Sequence, residues 1–242
     1  MKPFLVHQAS IQLPSGWVSF KVRRSQRAKR LLLKVHAERG IELVVPKRMS
    51  MQGAQAFMIR QKEWLNRAWQ KQQEIRTLLP TRQLITGETL PLLGGGVPLM
   101  VTVNPASKRA KIKYELGALT LDVPTRARVR PLLVRWYKDQ ARHFFSHTSH
   151  TLASRLNVTF QRIAIGNQKT QWGSCSAKGR LSYNWRLLLA PKAIARYVAA
   201  HEVAHIKHRN HSPAFWQTVA LLDPNFQSNR RWLKQRGTSL QL

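Results

Sequence analysis

The stretch HEVAHIKHRNH, residues 201–211, restricts the fold more than any other part of the chain. Histidines four positions apart lie one turn apart on the same side of an α-helix, so His201 and His205 can reach one cation only if this segment is helical. Pro191 precedes it and opens a run whose apolar residues recur every three or four positions, which is typical of a helix. We therefore predict a helix that starts at Pro191 and presents both imidazoles on one face.

Glu202 lies about 100° around this helix from His201, beside a bound ion rather than under it. It is the only acidic residue between Asp139 and Asp223. A divalent metal lowers the pKa of a water that it binds towards about 7, and a carboxylate beside it can accept the proton and pass it to a leaving group. The pattern predicts Glu202 as a general base, with the two histidines as metal ligands.

A third metal ligand can come from His208 or His211. His208 continues the helix face, but three ligands along one straight helix would span two turns and hold a tetrahedral ion poorly. If Asn210 ends the helix in a left-handed conformation, the chain can bring His211 back to the ion. Ser212 and Pro213 would then start the next helix as N-cap and first-turn residue. This reasoning favours His211 and leaves His208 as the alternative.

Residues 1–80 predict a β-meander followed by a helix. Apolar residues alternate in several short runs that are separated by turn residues, and Pro46 ends the last run. After Ser50, which is a suitable N-cap, the apolar spacing becomes helical. The large residues of this apolar stripe, including Met58 and Trp64, are expected to pack on the sheet.

The rest of the chain predicts two further segments of an α+β fold. Residues 81–125 contain short apolar runs and turn residues, and they predict a small β segment. Residues 126–242 contain the histidine-rich stretch, and they predict a long helix over Val129 to Leu156 and a hairpin that turns at residues 177–179. We expect the segments to pack as one unit.

Three other patterns are better explained by structure than by chemistry. The glycines of LLGGGVP are not followed by Gly-Lys-Ser or Gly-Lys-Thr, so a hairpin turn is favoured over a phosphate-binding loop. His143, His147 and His150 lie on the polar side of the long helix with no carboxylate placed as a base, which favours a surface position over a metal site. Cys175 is favoured as a small, partly buried thiol over a nucleophile.

The chain is strongly basic. It contains 41 Lys and Arg residues against 10 Asp and Glu residues, which gives a formal net charge of +31 at pH 7. The basic residues are spread along the whole sequence, so they do not form a detachable tail. The excess predicts an anionic partner such as a nucleic acid, a nucleotide or a phospholipid surface, and the alternative is a solvated basic surface without a partner.

The location of the protein is predicted from its cysteine and its hydropathy. A single cysteine, Cys175, excludes an internal disulfide framework and is typical of a reducing compartment. No apolar run is long enough to span a membrane or to form the core of a signal peptide. The sequence therefore predicts a cytoplasmic protein without a membrane partner.

Three stretches resemble the YgjP-like metallopeptidase family, which comprises zincin-type proteins related to the SprT-like proteases. They are QKTQWGSCSAKGRLSYNWRLLLAP, YVAAHEVAHIKHRNHSPAFW and DPNFQSNRRWLKQRG. The resemblance covers most of the chain and implies a peptide or protein substrate, one zinc ion held by His201, His205 and His211, and Glu202 as the general base. It departs from the family at Gln171, where arginine is frequent, and this puts in doubt an anion contact at that position.

Two other functions are compatible with the same residues. A metal-dependent phosphohydrolase acting on nucleoside triphosphates would use the same metal and would explain the basic charge by phosphate binding. A protease or binding module that is recruited to nucleic acid would use the basic surface directly.

The spacing from His205 to His211 matches the protease pattern H-E-x-x-H-x-x-G-x-x-H, although His208 replaces the glycine.

Overall fold

The structure is a computed structural model that describes residues 6–36, 40–78, 82–168 and 170–242. The chain divides into two compact units, Met1–Pro80 and Thr81–Leu242. Each unit has its own hydrophobic core. Within the described ranges, six α-helices and three small mixed sheets make up the fold, so the predicted α+β class is confirmed.

The first unit contains a four-stranded sheet. Its strands are β1 (Val6–Leu13), β2 (Gly16–Ser25), β3 (Leu32–His36) and β4 (Gly40–Pro46), in the order β1-β2-β4-β3. This order departs from the predicted meander, because β4 pairs in parallel with β2 while β3 lies at the edge of the sheet, antiparallel to β4. The reason is burial: β4 is the more buried of the two strands and takes the central position, whereas β3 exposes alternate residues.

Two helices, α1 (Met51–Arg60) and α2 (Lys62–Leu78), replace the single helix predicted after the sheet. Ser50 caps α1 as predicted, since its hydroxyl accepts a hydrogen bond from the Gly53 amide at 3.1 Å. Met58 is buried in the core, but Trp64 is 44% exposed, so its predicted core position is wrong. Leu65, the next residue along α2, is fully buried. Because consecutive residues of a helix point in different directions, Trp64 faces the surface.

The second unit begins with a four-stranded sheet. Its strands are β5 (Thr89–Leu92), β6 (Gly95–Val103), β7 (Lys111–Glu115) and β8 (Ala118–Val123), in the order β5-β6-β8-β7. The predicted hairpin turn at the glycine triplet is confirmed: Leu93 and Gly94, both with positive φ, join β5 to β6. The Leu93 amide donates a hydrogen bond to the carbonyl oxygen of Leu188, which fixes this hairpin on the turn of 3-10 helix over Trp185–Leu189.

A long helix and a second hairpin complete the scaffold of the site. Helix α3 spans Val129–Arg155, close to the predicted range, and the two strands around residues 177–179 form a hairpin whose turn lies where predicted. The remaining elements are β9 (Arg162–Gly166), β10 (Gly173–Cys175), β11 (Arg180–Asn184), α4 (Lys192–Lys207), α5 (Pro213–Leu222) and α6 (Phe226–Arg236). Strand β11 lies between β10 and β9.

One hydrophobic core joins the elements of this unit. The ring of Phe145 on α3 stacks on Tyr183 of β11 with 4.2 Å between centroids, and the Ser149 and Tyr183 hydroxyls are hydrogen bonded at 2.9 Å. Small, fully buried residues, among them Ala199, Ala200 and Ala204, allow α4 to pack closely at the centre of this core. None of the helices in the described part of the chain is long and apolar enough to cross a bilayer.

Candidate metal centre

Helix α4 ends earlier than predicted. Its last residue is Lys207, and His208 follows with extended backbone angles of φ −129° and ψ 112°. Asn210 is not among the described residues with positive φ, so the predicted left-handed helix end at this position is wrong. An extended residue at the helix end redirects the chain without the steric cost of a left-handed one. The chain then runs back towards α4 and brings His211 close to His201. Ser212 and Pro213 start α5 as predicted.

The structure brings His201, His205 and His211 together. Each offers a ring nitrogen, and these three atoms lie within 4.8 Å of one another. The Nε2 atoms of His201 and His211 are 3.2 Å apart. Two nitrogen ligands of a tetrahedral ion are separated by about 3.3 Å when each is about 2.0 Å from it, so this pair is already at ligand spacing. The side chain of His208 does not join this group within the described residues.

The backbone orients the ring of His205. Its Nδ1 lies 2.9 Å from the carbonyl oxygen of His208. Because a carbonyl can only accept, Nδ1 carries the hydrogen and Nε2 keeps a free lone pair. This is the arrangement by which outer groups fix the tautomer of a histidine that binds a metal. His208 therefore acts on the site through its backbone and not through its imidazole.

Aromatic rings surround the three imidazoles. Phe215 on α5 is fully buried, and its ring centroid lies 5.0, 4.4 and 4.8 Å from those of His201, His205 and His211. Trp216 stacks on His211 with 5.5 Å between centroids. The hydroxyl of Ser212 caps α5 by accepting a hydrogen bond from the Phe215 amide. This cap fixes the start of the helix that carries both rings.

Burial keeps the imidazoles of His201 and His205 neutral at physiological pH. Burial, followed by smaller electrostatic effects of His205, His211 and Arg230, lowers the pKa of His201 to about 3. Burial also lowers the pKa of His205. A neutral imidazole is the form that binds a metal, so these two rings need no deprotonation at pH 7.

Glu202 is buried beside the histidines, with 5% of its surface exposed. Burial raises the pKa of its carboxyl group to about 8. Gly173 of β10 packs against this carboxyl group: a Cβ at position 173 would lie 2.5 Å from Oε1 and 2.9 Å from Cδ. We did not predict this contact, although a glycine inside a strand is a signal for the close approach of another group.

Arg209 connects the loop that carries His211 to the β10–β11 hairpin. Its guanidinium group donates to the carbonyl oxygens of Ser176 at 2.7 Å and Ala177 at 2.9 Å. It also lies 3.8 Å from the sulfur of Cys175. Burial raises the pKa of that thiol, which favours the structural interpretation over a nucleophile. No sequence pattern separates Arg209 from the other basic residues.

The other histidines predicted at the surface are found there. His143 and His147 are exposed on α3, and the Nδ1 of His150 is hydrogen bonded to the carbonyl oxygen of Ser146 at 2.8 Å. Across the described ranges, the group on α4 and its loop is the only one in which three or more such side chains converge. Gln171 is exposed.

A cavity of about 390 Å³ opens beside the histidines and is lined by His201, His211, Trp216 and Arg230. Catalytic metal sites of hydrolases combine several histidine ligands with a neighbouring carboxylate and an open position for substrate, and this arrangement has the same elements. The family model described as "YgjP-like, metallopeptidase domain" matches residues 29–236. The chain therefore belongs to the YgjP-like metallopeptidase family, as the resemblance predicted.

No curated protein matches the chain. Among solved structures, the chain is similar to the metallopeptidase zymogen of Pyrococcus abyssi abylysin, with 20% sequence identity and a TM-score of 0.35. This match covers 38% of the chain and 93% of the abylysin chain.

Proposed function

We propose that the protein is a zinc-dependent peptidase in which His201, His205 and His211 hold one zinc ion and Glu202 is the general base. The observation that carries the proposal is the convergence of three imidazole nitrogens within 4.8 Å beside a buried carboxylate. Membership of a metallopeptidase family supports the reaction class.

The donor atoms fit a zinc ion. Three imidazoles are a ligand set that zinc uses in catalytic sites, where a fourth position stays open for water or substrate. The Nε2 of His201 faces that of His211 at 3.2 Å, so this nitrogen is the one that would bind the ion. Bound zinc would polarise the substrate carbonyl group and lower the pKa of water.

Glu202 supplies the proton transfers. It lies next to His201 in sequence, and its burial keeps bulk water from competing for the proton. Burial raises the pKa of this carboxyl group to about 8, so its ionised form is a stronger base than an exposed glutamate. Glu202 can therefore accept a proton from the attacking water and return it to the amine that leaves when the peptide bond breaks. Gly173 holds the carboxyl group in place for both transfers.

We also propose a cytoplasmic location. Cys175 is a free cysteine, which supports a reducing compartment and hence the cytoplasm.

The test compares the zinc-loaded protein with the Glu202→Gln and Glu115→Gln variants on a peptide library and on nucleoside triphosphates. Glu115 is an exposed glutamate on β7 and is the matched control. We expect peptide cleavage that falls by about 10²- to 10⁴-fold in Glu202→Gln with zinc retained, and that Glu115→Gln leaves unchanged. Full cleavage by zinc-loaded Glu202→Gln, or hydrolysis of triphosphates without peptide cleavage, would overturn the proposal.

A further inference from the structure

Arg230 forms one wall of the cavity beside the histidines. It lies on α6, and its guanidinium carbon is 4.6 Å from the centroid of the Trp216 ring, which in turn stacks on His211. The start of α6 is fixed by Asp223, a buried carboxylate that accepts a hydrogen bond from the Asn229 side chain at 2.9 Å. The position of Arg230 therefore follows from the packing of its helix and from the indole ring beneath it.

The charge of Arg230 has no acidic partner in the part of the chain that the structure describes. The ion pairs found there involve other residues, for example Arg196 with Asp223 at 3.9 Å and Arg142 with Asp139 at 3.1 Å. A guanidinium group that stacks on an aromatic ring with its face keeps the N–H donors at its edge available. Arg230 can thus donate to a group that enters the cavity.

An anion between Arg230 and the metal site would reduce the repulsion between their positive charges. Arginine stays protonated at every physiological pH, so it repels a divalent ion held by His201 and His211. A negatively charged group of the substrate, placed between the ion and Arg230, is attracted by both charges. The planar fork of a guanidinium group matches a carboxylate, which accepts two parallel hydrogen bonds from it.

We propose that Arg230, supported by Trp216, binds a carboxylate of the peptide substrate next to the bond that is cleaved. This inference rests on the proposed function, because it names the substrate class of the same site. The carboxylate can belong to an acidic side chain or to the C-terminus of the peptide. Arg230 is then the residue that determines the preference for acidic over neutral substrates.

The experiment measures peptide binding separately from cleavage. Full-length protein with the Glu202→Gln substitution is loaded with zinc and titrated by calorimetry with two matched peptide pairs. One pair carries Glu or Gln in the middle, and the other ends in a free carboxylate or in an amide. These titrations are repeated after Arg230→Gln, after Arg230→Lys, and after Arg231→Gln, the matched control that removes the same charge from an exposed position on the same helix.

We expect at least one anionic peptide to bind about 10- to 100-fold more tightly than its neutral partner, and the pair that shows this identifies the source of the carboxylate. The ratio should approach one in Arg230→Gln, remain partly in Arg230→Lys, and be unchanged in Arg231→Gln. An Arg230→Gln ratio equal to that of the parent, or a parent without preference in both pairs, would overturn the inference.

Two further outcomes separate this inference from the proposed function. If the protein with Glu202 intact cleaves no peptide but the Arg230-dependent binding ratio is found, the proposed function fails and the carboxylate site stands. If a nucleoside triphosphate binds through Arg230 more tightly than either anionic peptide, the site recognises phosphate and the assignment to a carboxylate is overturned.

Discussion

Gly173 lies against the carboxyl group of Glu202 so closely that a Cβ atom at position 173 would come within 2.5 Å of Oε1. Glu202 is buried, and the same Cβ would also lie 2.7 Å from its Cγ, so the carboxylate has to move if position 173 carries a side chain. The strand β10 therefore determines where the proposed general base lies. A side chain at position 173 would displace this carboxyl group.

We expect Gly173→Ala to lower kcat by about 10- to 100-fold, because a displacement of about 1 Å is enough to disturb proton transfer. Overpacking should also lower the free energy of unfolding by about 1–3 kcal/mol. The control is Gly96→Ala on β6, where a Cβ would lie 2.6 Å from the Thr89 methyl group and far along the chain from the histidines. Steady-state kinetics and urea unfolding separate the two effects, and an equal loss of kcat in both variants would contradict the positioning role.

The sequence predicted those features that depend on neighbouring residues. The hairpin turn at Leu93 and Gly94, the cap of α5 at Ser212, and the helix that carries His201 and His205 all follow from local spacing and turn chemistry. The parallel pairing of β2 with β4 could not be predicted, because an alternating strand has the same pattern whichever partner it takes.

Contacts made across the fold were also missed. Gly173 meets Glu202 only because β10 packs on α4, and no local pattern contains both residues. Arg209 and Arg230 carry no distinguishing signal in a chain with 41 basic residues. Their roles depend on what the fold places next to them, which is a hairpin turn for Arg209 and an indole ring for Arg230.

The third ligand is decided by comparing His208→Ala with His211→Ala. We expect His211→Ala to abolish stoichiometric zinc binding, because its Nε2 is 3.2 Å from that of His201. His208→Ala should keep the metal, since position 208 contacts His205 through its backbone carbonyl oxygen, which alanine retains. Elemental analysis of the purified proteins gives the answer, with His201→Ala as the reference for loss. Zinc retained by His211→Ala at one ion per chain would remove this residue from the site.

Arg209 is expected to set the metal affinity by holding the loop between His208 and His211. Its two hydrogen bonds to carbonyl oxygens of the β10–β11 turn are lost in Arg209→Ala. Groups that support metal ligands typically contribute about 10- to 100-fold to affinity, and we expect a loss of this size. Competition with a chelator measures it, and Lys207→Ala, an exposed cation at the end of α4, is the control. Equal zinc affinity in Arg209→Ala and the parent would show that the hydrogen bonds of Arg209 do not position the loop for metal binding.

The stability of the metal-free protein should depend on pH through Glu202 and His201 in opposite directions. The pKa of Glu202 is raised from 4.5 to about 8, so its contribution to stability is present below pH 4.5 and is lost as the pH rises towards 8. The pKa of His201 is lowered from 6.5 to about 3, so its contribution is present above pH 6.5 and is lost as the pH falls towards 3.

Glu202→Gln isolates the first of these two effects. The neutral amide never ionises, so we expect this variant, after chelator treatment, to gain stability over the parent between pH 4.5 and 8, by up to about 4 kcal/mol at the alkaline end. Urea unfolding at several pH values measures the difference. A constant difference between variant and parent across this range would show that Glu202 does not titrate with the raised pKa.

The basic surface should bind nucleic acid without sequence preference. A chain with a formal charge of +31 neutralises phosphates wherever its lysines and arginines meet them, and each contact releases counterions. We therefore expect two duplexes of unrelated sequence to bind equally well, and the affinity for both to fall by about 10³-fold or more between roughly 50 and 200 mM salt if at least six phosphates are contacted. Fluorescence anisotropy measures both quantities.

If binding serves to recruit the peptidase, DNA should also raise cleavage of a basic DNA-binding protein, because enzyme and substrate then share one polyanion. Cleavage of a short neutral peptide should stay the same. Binding that is absent at low salt, or that does not weaken as salt rises, would leave the charge as a solvated surface.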